Sequence, residues 1–147
     1  MDKRPILLVE DDPADLGLAM IALEKNNITN PVIVAEDGSE ALDFIFGRGK
    51  FEGRRETPAL VLLDLKLPVI GGLEVLKKMR EDVRTQLVPV VVLTSSKERK
   101  DIITSYKLGA NSYVQKPVNF EEFVLAVQQL GKYWLGLNEP AYQNGAA

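Results

Sequence analysis

Residues 60–68 read Leu60-Val61-Leu62-Leu63-Asp64-Leu65-Lys66-Leu67-Pro68. An unbroken apolar run meets an acid, and a proline follows shortly after. A strand with one wet face alternates apolar and polar residues. A continuous run of four to eight suits a strand buried on both faces, as in a parallel sheet. The pattern recurs at Ile6–Val9, Val32–Ala35 and Val90–Leu93, with a shorter version at Tyr113-Val114.

Between these runs the apolar residues switch to helical spacing. The stripes are Leu16, Ala19, Met20 and Leu23; Ala41, Leu42, Ile45 and Phe46; Leu73, Leu76, Met79, Arg80 and Val83; and Ile102, Ile103 and Tyr106. The last helix carries Phe120, Phe123, Val124, Val127, Leu130 and Trp134. Asp12-Pro13 reads as an N-cap followed by proline at N1, with Asp15 at N3. Asp37 with Glu40, Ser95 with Glu98 and Asn119 with Glu122 match the capping-box spacing. Strand and helix therefore alternate five times. That order implies an α/β fold with parallel strands, right-handed crossovers and helices on both faces. Residues 47–58, rich in Gly and Arg, read as an exposed loop, and residues 137–147 as a mobile tail after one domain spanning 1–136.

Composition narrows the chemistry. The 147 residues include no Cys and no His, which excludes thiolate nucleophiles, Cys- or His-ligated metals, a Ser/His/Asp triad and a phosphohistidine on this chain. A net charge of −3 without a basic run is a poor match for nucleic acid. No segment has the length of a membrane span, and the N-terminal apolar run is too short for a signal peptide. A cytoplasmic location is expected.

In an open parallel sheet, ligands bind at the carboxyl ends of the strands. Those ends carry Glu10, Asp11 and Asp12; Asp64; Thr94, Ser95 and Ser96; and Lys116-Pro117. Each has an ordinary structural explanation: Asp12 as a helix cap, Asp64 as a strand-end acid, Thr94 as a strand-end hydroxyl, Lys116 as a solvated lysine. Together they are complementary. Clustered carboxylates repel unless cations intervene. Lys116 supplies one charge, and Mg²⁺, which takes hard oxygen ligands, suits the remainder. Acids, a hydroxyl and a lysine are what phosphoryl transfer uses, with Asp64 the best candidate nucleophile.

The segments ILLVEDD, LVLLDLKLP, VVVLTSS and YVQKP, in that order, resemble the receiver domain of two-component response regulators over about residues 4–136. The resemblance implies a flavodoxin-like (βα)5 fold with strand order 2-1-3-4-5. It implies Mg²⁺ held by Glu10, Asp11, Asp64 and the backbone carbonyl of Lys66, with Asp11 a direct ligand. Asp64 becomes the phosphoacceptor, served by Thr94 and Lys116, and Tyr113 the aromatic switch. The Lys116–Pro117 bond matches one that is commonly cis in the family. The domain would accept a phosphoryl group from the phosphohistidine of a sensor kinase, act on no separate substrate and signal by protein contact.

The long loop, the PVVVLTSS segment and the ending LGKYWLGLNEP further resemble stand-alone receivers associated with bacterial phytochromes, making a phytochrome-type kinase the expected partner. Lys66 stands where Met, Asn or Arg is frequent, which bears on phosphoryl lifetime. Three other readings compete. A dehalogenase-type phosphatase needs D-x-D after the first strand, where this chain has Glu10-Asp11-Asp12. A flavin or nucleotide module needs a Gly- or Ser/Thr-rich loop there. A scaffold that is never phosphorylated does not need the full acid, Thr and Lys set. Trp134, past the expected depth of the sheet with Leu135 and Leu137, is expected to overhang the core. There it would help form a symmetric homodimer face with the fourth helix, fifth strand and fifth helix. The alternative is that Trp134 folds over Leu108 or Tyr106.

Overall fold

The computed structural model describes residues 3–141. Its strands are β1 (Ile6–Val9), β2 (Val32–Ala35), β3 (Leu60–Leu63), β4 (Val90–Thr94) and β5 (Ser112–Gln115). All pair in parallel, in the order β2-β1-β3-β4-β5. The helices are α1 (Pro13–Lys25), α2 (Gly38–Phe46), α3 (Gly72–Glu81), α4 (Arg99–Lys107) and α5 (Phe120–Lys132). This is the flavodoxin-like arrangement expected from the sequence.

Side chains alternate across a strand, so each apolar run feeds two cores. Leu7, Val9, Val61, Leu63, Val90 and Val92 pack with Leu42, Phe44, Leu76 and Met79 of α2 and α3. Ile6, Leu8, Leu60, Leu62, Val91 and Leu93 pack on the opposite face with Ala19, Leu23, Phe123 and Val127 of α1 and α5. β1, β3 and β4 are buried throughout, whereas the edge strands β2 and β5 are mostly half-buried.

Caps explain most helix starts. Asp12 accepts from the amides of Ala14 and Asp15, Asp37 from Glu40, and Asn119 from Glu121 and Glu122. Ser95 does not cap α4, which begins at Arg99. Ser96 is buried instead, with its hydroxyl donating to Asp101 at 2.6 Å, and this holds residues 95–98 out of the helix. α4 also departs from its expected packing. Ile103 and Tyr106 are exposed and Ser105 is its buried residue, because the edge strand β5 offers less surface to cover.

Four further differences have local causes. The 47–58 segment is not simply an exposed loop. A 3-10 turn at Gly49–Phe51 sets Phe51 edge-on against Phe44 at 5.1 Å, and the Arg54 guanidinium stacks 4.3 Å from the same ring. α3 stops at Glu81, which leaves Val83 exposed. Arg80, from the same stripe, is satisfied by Gly109 O, Thr85 O and Asn111 Oδ1. After α5 the chain widens into a π turn at Tyr133–Leu137, where the Asn138 amide donates to Tyr133 O at 2.7 Å. That turn lays Trp134 and Leu135, half-buried, on the α1/α5 core. Trp134 therefore neither overhangs the core nor reaches Leu108, which packs on the other face. The Lys116–Pro117 bond is trans; at a tertiary amide the two isomers lie within about 1 kcal/mol, and local context decides. Residues 142–147, most of the tail expected to be mobile, lie outside the described residues.

Two glycines allow the loops above the sheet to close. A Cβ on Gly38 would lie 1.9 Å from Ile70 O, and one on Gly72 would lie 2.3 Å from Asp64 O. Both neighbours are backbone and cannot swing away. Gly72→Ala is expected to cost about 2 kcal/mol or more, the scale of overpacking a tight site. A urea midpoint equal to that of the parent would contradict this close approach.

Candidate functional site

The sheet ladder continues past the strands and aims the polar residues. The Glu10 amide donates to Ala35 O at 3.0 Å, the Asp64 amide to Val9 O at 3.1 Å and the Lys116 amide to Thr94 O at 2.7 Å. Glu10 and Asp64 thus extend adjacent strands, and both are buried. Lys116 crosses the top of the sheet from the β5 side. Its ammonium lies 2.6 Å from Glu10 Oε1, 2.8 Å from Asp15 Oδ2 and 2.9 Å from Asp64 Oδ2. Carboxylate oxygens of Glu10, Asp11 and Asp64 lie within 4.8 Å of one another. Asp64 Oδ1 accepts from the Lys66 amide at 3.3 Å, and Glu10 Oε2 accepts from the Asp12 amide at 3.1 Å.

The electrostatics follow from burial and sharing. Burial pushes the Glu10 carboxyl up to about 7, and the hydrogen bond from Lys116 pulls against it. Burial also opposes the charge on Lys116, but the hydrogen bonds to Asp15, Glu10 and Asp64 outweigh it and hold the ammonium above its ordinary value. The cluster thus has more carboxylates than its one ammonium neutralises. Hard oxygen donors converging from separate elements fit a divalent cation of the Mg²⁺ or Mn²⁺ kind, with Glu10, Asp11 and Asp64 holding it.

Thr94 is fully buried at the end of β4, one position past the residue that continues the β3 register opposite Asp64. Its hydroxyl accepts from the Ser96 amide at 3.4 Å, while the Tyr113 hydroxyl donates to Ser96 O at 2.8 Å. Ser96 therefore ties the strand-end threonine to the tyrosine on β5. Burial raises the Tyr113 phenol above its ordinary value.

The fold brings Glu10, Asp11, Asp64 and Lys116 into one cluster and places Thr94 and Tyr113 on its β4–β5 side. Asp12 serves as the cap expected of it. The sequence reading missed Asp15, whose position at N3 explained it as a helix-start acid; the EDDPAD spacing that sets it four residues after Asp11 was the available signal. Among the described residues, no helix is long and apolar enough to cross a membrane.

Parallel order 2-1-3-4-5, an acid pair after β1, an acid after β3 and a lysine after β5 together define a class: the phosphorylation-based signalling modules. The chain belongs to the response regulator receiver domain family, whose pattern matches residues 6–128. It is similar to the response regulator Rcp1 of Synechocystis, with 38% identity over 130 residues and 88% of each chain covered. The crystal structure of the Mn²⁺-bound form of Rcp1 superposes with a TM-score of 0.88 at 36% identity, over 94% of this chain and 99% of that one. The phosphorylated cyanobacterial phytochrome response regulator RcpA superposes with a TM-score of 0.90 at 34% identity, over 95% and 99%. The bacteriophytochrome response regulator RtBRR is 51% identical, with a TM-score of 0.76 over 95% of this chain and 85% of that one.

The pH dependence of stability follows from Glu10. Its carboxyl titrates near 7 when folded, against an ordinary value of 4.5, so between these pH values the folded chain holds more protons than the unfolded one. Stability contributed by the protonated form is complete below about 4.5 and is lost as pH rises through about 7. In chelator, the parent is expected to lose about 3 kcal/mol across this window relative to Glu10→Gln. Parallel urea-midpoint profiles for the two proteins would contradict it.

Proposed function

We propose that this chain is a phosphorylation-dependent switch in a two-component system, with Asp64 the phosphoacceptor. The observation that carries the reading is the position of Asp64: buried at the end of β3, with the Lys116 ammonium 2.9 Å from Oδ2 and the Glu10 and Asp11 carboxylates beside it. The donor is the phosphohistidine of a sensor kinase, a reading supported by membership of the response regulator receiver family. The kinase is of the phytochrome type, a reading supported by the relatives named as phytochrome and bacteriophytochrome response regulators.

Asp64 Oδ attacks phosphorus. The P–N bond to the donor imidazole breaks, its electron pair stays on that nitrogen, and an acyl phosphate forms on Asp64. Glu10, Asp11, Asp64 and the Lys66 carbonyl would hold Mg²⁺, which when bound would supply charge neutralisation for the equatorial oxygens. Lys116 exchanges its contact with Asp64 Oδ2 for a phosphoryl oxygen. Thr94 donates its hydroxyl to another, which moves the Ser96 amide it now accepts from. Ser96 O also holds Tyr113, so the two movements are linked. Phosphorylation thereby biases two packings of the β4–α4 region rather than building a new one. The only reaction is on the domain itself, and the output is protein contact.

Acetyl phosphate with Mg²⁺ is expected to label the parent at one site, releasable by hydroxylamine, and to leave Asp64→Asn unlabelled by mass spectrometry. In the same samples Thr94→Ala is expected to accept the label while losing the NMR shift at Tyr113. Labelling of Asp64→Asn at the parental rate sinks the assignment.

The domain also forms a symmetric homodimer through α4, β5 and α5. Ile103, Tyr106 and Val118 are exposed there and support this reading, while Trp134 contributes only the part of its ring that the core leaves open. Sedimentation at tens of micromolar is expected to show a parent dimer that Tyr106→Glu dissociates. A parent that stays monomeric with and without beryllofluoride rules it out.

A further inference from the structure

The three N–H donors of Lys116 are fully occupied by Glu10, Asp15 and Asp64, at 2.6, 2.8 and 2.9 Å. Two of these partners belong to the acidic cluster that fits a divalent cation. Asp15 does not. It lies in the first turn of α1, separated from Lys116 by 101 residues of chain. The usual duty of an acid at N3 is to accept from the N-cap amide. Here the Asp12 amide donates to Glu10 Oε2 instead, and the N-cap function rests on the Asp12 side chain. The Asp15 carboxylate is thereby released from capping and committed to the lysine. Its side chain is also the most open of the three, 26% exposed against 4% for Glu10 and 8% for Asp64.

We infer that Asp15 is a positioning residue: it holds the Lys116 ammonium over Asp64 when the other two carboxylates are engaged by metal and phosphoryl group. This rests on the reading of Asp64 as phosphoacceptor. A cation drawing on Glu10 and Asp64 removes two of the three anchors of Lys116. A lysine on a flexible four-carbon stem would then sample many rotamers, and the entropy of ordering it would fall on the transfer step. A third carboxylate outside the cation's reach keeps the ammonium in place. Because Asp15 remains outside the cation's ligand set, it also directs Lys116 toward one vacancy, the one left by Asp64 Oδ2.

The test separates this role from a simple tether between α1 and the β5–α5 loop. First, the ammonium of Lys116 is followed by ¹⁵N NMR in Mg²⁺-loaded protein without phosphodonor. The parent is expected to show slowly exchanging ζ protons, and Asp15→Asn to lose them. Second, labelling by acetyl phosphate is timed at saturating Mg²⁺. Asp15→Asn is expected to slow about tenfold, the scale of one charge-assisted hydrogen bond acting in the transition state, with Asp15→Glu recovering most of the rate. In a Lys116→Ala background the Asp15→Asn change is expected to have no further effect. Unchanged ζ exchange in Asp15→Asn overturns the inference. So does a lowered urea midpoint with a parental labelling rate, or an additive loss in the double variant. A parent that takes no label at Asp64 overturns the proposed function instead, and the exchange measurement still decides whether Asp15 holds Lys116.

Discussion

One ammonium holds three carboxylates from three separate elements at the top of this sheet. Lys116 arrives from the β5–α5 connection; Glu10 extends β1, Asp64 extends β3 and Asp15 stands on α1. Buried acids at this density repel, and each isolated charge would carry a desolvation cost of several kcal/mol. A shared lysine makes the cluster tolerable without neutralising it. The residual negative charge suits a divalent cation, and in the proposed function cation plus lysine together would suit a phosphoryl group.

The rest of the molecule keeps that geometry rigid on one side and yielding on the other. β1 and β3 are central, buried on both faces and backed by two cores, so Glu10 and Asp64 have little freedom. Gly72 lets the N-terminus of α3 rest on the Asp64 carbonyl. β5 is an edge strand, and α4 buries little more than Ser105. Sparse apolar burial is the property of segments that change packing at low cost. The Thr94–Ser96–Tyr113 connection runs from the rigid side into the yielding one, which is where a charge-driven shift has the least packing to disrupt.

Periodicity exposed the strands and helices because burial on two faces demands unbroken apolar runs, and one-sided burial demands helical stripes. The positions of Glu10, Asp11, Asp64, Thr94 and Lys116 were legible too, since the order of strands in a parallel sheet decides which connections share an edge. The resemblance to receivers rests on the same residues. α4 was less legible: Ser95 with Glu98 has the spacing of a capping box, but Ser96 is drawn inward by Asp101 and Tyr113. A capping pattern lost to one partner inside α4 and one on β5. Phe51 and Arg54 likewise read as loop residues because only the folded chain brings Phe44 beneath them.

The sequence by itself determined the element order, the doubly covered sheet and the set of strand-end groups, because these depend on local periodicity and on chain connectivity. Tertiary structure alone decided which acids meet the lysine and which face Trp134 covers. Asp15 illustrates the first: an N3 acid looks the same whether it caps its own helix or reaches across the site, and only the Glu10 contact to the Asp12 amide settles which. Trp134 illustrates the second, since a single π turn rotates the end of the stripe onto the α1/α5 core. In both cases the contacts that result, Asp15 with Lys116 and Trp134 with the α1/α5 core, join residues far apart in the chain, whose approach is set by packing rather than by spacing.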